Sequence, residues 1–119
     1  MSRKKEREEL FKLIFQLLSN PNCNPGTPKT EYVEKGINNI KQNLDSIIEI
    51  IKRNTSRWDF REIGDIEKSL LILAVYEIKY DELNHRIAIN EAIELAKIYG
   101  TDDSFRFVNG ILANLTKEI

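Results

Sequence analysis

The chain has 119 residues, 18 Lys and Arg against 19 Asp and Glu for a formal net charge of -1, and 41% apolar against 31% charged residues. This is one domain by length, with enough apolar material for a core without staples. Near-neutrality excludes a uniformly basic nucleic-acid binder, so any such site must be a local patch. One cysteine, Cys23, and one histidine, His85, exclude a disulfide framework and most Cys or His metal and triad designs. No apolar run approaches a membrane span and no secretory leader is evident, so a cytoplasmic protein away from membranes is expected.

The first predicted helix runs from Ser2 to about Ser19. Leu10, Ile14, Leu17 and Leu18 share a face, and Arg3, Lys4 and Arg7 project on the same side as that stripe. The core-facing line thus turns cationic in the first two turns, which predicts that those turns extend beyond the packed body. Lys5 and Lys12 lie together on the outer face near Gln16. Cations at a helix N-terminus oppose the macrodipole, so a frayed, solvated end competes with a binding patch.

Asn20–Thr30 holds all three prolines and Gly26, a loop composition. Thr27 or Thr30 can cap a second helix reaching about Asn54, buried along Val33, Ile37, Ile40, Leu44, Ile47, Ile48 and Ile51. Asp59 and Glu62 have capping-box spacing and open a short turn that Gly64 ends, with Trp58 and Phe60 stapling the entry to the next helix. Asp65 can cap that helix, Ile66–Tyr80. Its run from Leu70 to Tyr76 is apolar on every side, which belongs at the centre of a bundle.

The fourth helix, through Ala88, Ala92, Leu95, Ala96 and Tyr99, ends at Gly100, where a left-handed cap is expected. Thr101, Asp102 and Asp103 offer cap oxygens to a fifth helix with Val108, Ile111, Leu112 and Leu115 on its apolar stripe. With no alternating strand pattern, the chain reads as all-α.

Phosphate-cradling glycine loops, nucleophile elbows and metal spacings are absent from the sequence. Carboxylate pairs such as Glu91/Glu94 and Asp102/Asp103 read as solvated faces or caps. Asn90 and Asn109 read as satisfied polar groups in the core or at caps, and Gly110 as a point of close helix approach, since a mid-helix glycine costs about 1 kcal/mol against alanine. One constellation remains: Arg3, Lys4, Lys5, Arg7 and Lys12 with Phe15, and Phe105, Arg106 and Phe107 elsewhere. Cations that hold a backbone beside rings that stack on bases suit single-stranded RNA. The same rings fit a core equally well.

The run Ile87-Ala88-Ile89-Asn90-Glu91-Ala92-Ile93-Glu94-Leu95-Ala96-Lys97, then Gly100, then Phe107-Val108-Asn109-Gly110-Ile111-Leu112, resembles the C-terminal signature of the NusB family. Glu67-Lys68 and Leu73-Ala74-Val75-Tyr76-Glu77 resemble its central helix, and Trp58 also fits. The similarity is strongest over Trp58–Leu115. It implies two packed three-helix bundles forming a single RNA-binding domain over residues 1–119, without enzymatic activity, metal or cofactor. It also implies boxA-type single-stranded RNA as ligand and a NusE-type small-subunit ribosomal protein as partner. The implied role is transcription antitermination on the elongation complex, notably for ribosomal RNA.

By the same resemblance, Lys4, Lys5 and Arg7 match a basic N-terminal cluster implied to contact phosphates. Phe15 and Phe107 match aromatics near RNA, Asp103 lies in a loop neighbouring both RNA and partner, and Glu67 matches a partner-facing acid. Homodimers that hide the RNA surface occur in that family. Ile72 stands where many members have arginine, Asn84 where proline is common, and Asn20–Lys29 is shorter than usual. Two other readings are a helical protein–protein adaptor without RNA, and an RNA-modifying enzyme, since NusB-like domains also front certain RNA methyltransferases. The chain has neither the length nor a cofactor loop for the latter.

Overall fold

A computed structural model describes residues 1–20, 26–55 and 59–119. The expectations for Cys23 and Trp58 lie outside the described residues. Among those described there are five α-helices, one 3-10 helix at Phe60–Glu62 and no strand. The helices are α1 Arg3–Ser19, α2 Glu31–Arg53, α3 Asp65–Lys79, α4 His85–Tyr99 and α5 Asp102–Leu115.

Local chemistry sets the helix ends. Ser2 caps α1 by accepting from the Lys5 amide, and Thr30 caps α2 through the Val33 amide. Asn84 accepts from the amides of Arg86 and Ile87, which places His85 in the first turn of α4. Thr101 and Ser104 exchange bonds in a reciprocal capping box at α5. Several end assignments differ from expectation: Asp59 caps the 3-10 helix through the Arg61 amide rather than in a box with Glu62, and Asp102 and Asp103 lie inside α5 rather than before it. Asp65 is already helical, with Gly64 as its uncapped predecessor, and its carboxylate instead accepts from the Ser19 hydroxyl at 3.1 Å. Gly100 is not left-handed, at φ -108°. Space selects it: a Cβ there would sit 2.7 Å from the Ser104 Cβ and 2.9 Å from the Ala96 carbonyl oxygen.

Every α3 residue from Ser69 to Ile78 is buried, as the all-round apolar run requires. α1, α2 and α3 pack against one another pairwise, and so do α3, α4 and α5. This arrangement is compatible with two three-helix sets that share α3. Ile72 is wholly enclosed, so its methyls serve the core where an arginine would need a partner.

The close-approach glycine is Gly36, not Gly110. A Cβ on Gly36 would lie 2.9 Å from Leu10 Cδ2 and 3.4 Å from the Tyr76 hydroxyl, at the meeting of α1, α2 and α3. A Cβ on Gly110 would meet nothing within 4 Å. Asn90 and Asn109 are exposed too, so none of the three mediates helix packing. The apolar stripes of α4 and α5 point inward and leave these residues on their outer faces.

Candidate nucleic-acid interface

The first two turns of α1 do not project beyond the body. Glu6 and Arg7 are buried, because α3 and α4 present carboxylates to the cationic continuation of the apolar stripe. Arg7 Nε donates to Glu77 Oε2 at 2.7 Å, and Arg7 Nη1 lies 3.5 Å from Glu91 Oε2. Burial pushes the Glu77 carboxyl above its ordinary value, and the Arg7 charge opposes that shift. Arg3 is held as well. Its guanidinium carbon stands 3.4 Å from the Tyr32 ring centroid and its Nη1 3.6 Å from Glu6. Glu6 also accepts from the Thr30 hydroxyl at 2.7 Å, and Tyr32 donates to Asp81 at 2.7 Å. Arg7 is therefore corrected from a solvent-facing cation to a buried one, and Arg3 is only partly available.

Lys4, Lys5 and Lys12 remain exposed. Among the described residues, Lys4 and Lys5 form no ion pair, and Lys12 pairs loosely with Glu8 at 3.6 Å. Lys12 stands beside an aromatic groove of about 330 Å³ lined by Phe11, Lys12, Phe15, Gln16, Ile66 and Tyr99. Phe11 and Tyr99 meet at 5.1 Å between ring centroids with a tilt of 41°. The Tyr99 side chain, then Glu8, holds the Lys12 ammonium above its ordinary pKa. Phe15 is half-buried on one wall. Tyr99 was legible only as the last apolar position of α4. Its mixed character, an apolar ring with a polar tip just before a glycine, was the available signal.

A second groove, of about 200 Å³, joins Asp59, Glu62, Ile63, Gly64, Glu67, Asp103, Ser104 and Phe107. It brings together three expected positions, Glu67, Asp103 and Phe107. The Ser104 hydroxyl donates to Glu67 at 2.5 Å and so ties the start of α5 to the start of α3. Arg106 is exposed, while Phe105 and Phe107 are half-buried against the core. Lys97 lies 5.7 Å from the Phe105 ring centroid. The two grooves meet α3 at consecutive residues, Ile66 and Glu67, so both open at its N-terminal end. Among the described residues there is no His, Cys, Asp and Glu cluster able to hold a metal, and no helix long and apolar enough to cross a membrane.

These features define a class: a helical binding module with a lysine-rich, aromatic face beside an acidic, apolar one. The chain belongs to the NusB family, whose model matches residues 2–117. It is 39% identical over 131 residues to the transcription antitermination protein NusB of Fusobacterium nucleatum, covering 93% of this chain and 86% of that protein. It is 33% identical over 126 residues to the protein of that name from Bacillus cereus, covering 97% of each. Among solved structures, T. maritima NusB superposes with a TM-score of 0.90 at 30% identity, covering 99% of this chain and 92% of that one. A structure of antitermination factors NusB and NusE in complex with double-stranded RNA gives a TM-score of 0.85 over 98% of this chain and 97% of that one. At 21% identity it speaks for the fold.

Proposed function

We propose that this chain is a transcription antitermination factor: a non-enzymatic adaptor that binds boxA-type single-stranded RNA together with a NusE-type ribosomal protein. Residues 1–119 act as one RNA-binding domain that serves the elongation complex in the cytoplasm. The observation that carries the reading is that Lys4, Lys5 and Lys12 of α1 are all exposed, with Lys12 at the edge of the groove lined by Phe15 and Tyr99. Ammonium groups track a phosphate backbone while half-buried rings offer faces on which bases stack, with each stacked base worth about 1–3 kcal/mol. Membership of the NusB family and the antitermination role for which its relatives are named support this assignment.

The second groove is the partner side of the proposal. Asp59, Glu62, Glu67 and Asp103 surround Ile63 and Phe107, which suits a protein segment bearing cations beside an apolar anchor. Asp103 and Phe107, with Arg106 on the same helix, lie where RNA and partner would adjoin. Filter binding of a boxA-like RNA, with and without a NusE-type protein, tests the proposal. Salt-sensitive binding that tightens with the partner is expected. Partner binding with no RNA retention in either condition would replace it with the adaptor that ignores RNA.

A further inference from the structure

Arg7 carries charge toward a surface it never reaches. We propose that Arg7, Glu77 and Glu91 form a positioning clamp that fixes the first turns of α1, so that Lys4 and Lys5 are held at the RNA face. Arg7 itself contacts no phosphate. The inference rests on RNA being the ligand of that face.

The geometry assigns the guanidinium two acids from two other helices. Glu77 of α3, 2% exposed in its side chain, takes Nε at 2.7 Å, and Glu91 of α4 lies 3.5 Å from Nη1. Turning Arg7 toward a phosphate would leave Glu77 enclosed and unpaired, the unfavourable way to break a buried pair. The clamp is also braced from α2, through the contacts of Glu6 with Thr30 and of Arg3 with Tyr32. Its need is electrostatic. Four cations in the opening turns of α1 face the positive end of the helix dipole, which favours fraying of the turn that carries Lys4 and Lys5. A buried anchor two and three residues further on holds that turn in place.

The clamp and plain electrostatics predict opposite signs for one substitution. Glu77→Gln removes a negative charge, so a charge-only account has RNA bind more tightly. If Glu77 positions the lysines, the variant binds more weakly, and the slope of log affinity against log salt falls by about 1.4, or roughly 0.7 for each of two lost phosphate contacts.

The experiment is fluorescence anisotropy of a labelled boxA-like RNA across a salt series, with wild type, Glu77→Gln, Glu91→Gln, Lys4→Ala/Lys5→Ala and the combination of the last with Glu77→Gln. Circular dichroism and binding of a NusE-type protein report folding. If Glu77→Gln fails to fold, Glu91→Gln carries the test, with the same direction and a smaller change. Weaker binding, a flatter slope and no further loss in the Lys4→Ala/Lys5→Ala background support the clamp. Tighter or unchanged binding, or a full additional loss in that background, overturns it. Absence of RNA binding by wild type overturns the RNA reading and the clamp with it, whereas a binding wild type with an indifferent folded variant overturns the clamp alone.

Discussion

Arg7 and the lysines of α1 share a helix and a charge but have opposite fates. Arg7 is enclosed between Glu77 and Glu91, and Arg3 lies over Tyr32 beside Glu6. Lys4, Lys5 and Lys12 face water. The planar, weakly hydrated guanidinium suits buried carboxylates and rings, whereas the strongly hydrated ammonium suits a solvated face. The same helix therefore carries a buried cation that ties it to α3 and α4 and exposed ones that leave a solvated face for the proposed recognition.

The comparison breaks most sharply at Arg7. Arg7→Met leaves Glu77 buried without its cation and should cost about 3–5 kcal/mol of unfolding free energy, measured by urea denaturation. A loss below that of an ordinary surface substitution would mean that the pair is solvated. Alkaline titration probes the same enclosed cluster less severely. Burial, then Asp81 and Glu77, pushes the Tyr76 hydroxyl from 10.0 up to about 12, with Arg3 pulling against them. Its stabilising contribution is complete below pH 10 and is lost as pH rises from 10 through about 12. Thermal melts should show this decline, and Tyr76→Phe should shed that part of it.

The exposed side should respond quite differently. Gly110→Ala places a methyl in open space within α5, and equilibrium denaturation should show a gain of about 0.5–1 kcal/mol. A loss would restore Gly110 as a packing residue. Lys4→Ala/Lys5→Ala/Lys12→Ala should change stability least, by less than about 0.5 kcal/mol in all.

The helices and their order were legible because apolar spacing, caps and the all-apolar run of α3 agree with one another. The exposed cations of α1 were legible from its charge pattern, and Glu67, Asp103 and Phe107 as candidates from the motifs that carry the family resemblance. The fate of Arg7 was not, although it projected onto the apolar side of α1. Its partners stand 70 and 84 residues later, and spacing within one helix cannot announce an acid on another. Gly36 and Gly110 exchanged roles for a related reason. Closeness of approach depends on the neighbouring helix, here Leu10 and Tyr76, and not on the glycine's own surroundings in sequence. Tyr99 fitted the core stripe so well that its place in a groove emerged only once α1 lay beside it.

On the proposed reading, the exposed lysines of α1 hold RNA while the buried Arg7 holds the fold. The salt dependence of boxA-like RNA binding by wild type and by Lys4→Ala/Lys5→Ala/Lys12→Ala measures this most directly. Weaker binding is expected, with the slope reduced by about 2, from ~0.7 for each of three phosphate contacts, and an unchanged melting temperature. An equal slope and affinity in the two proteins would contradict it.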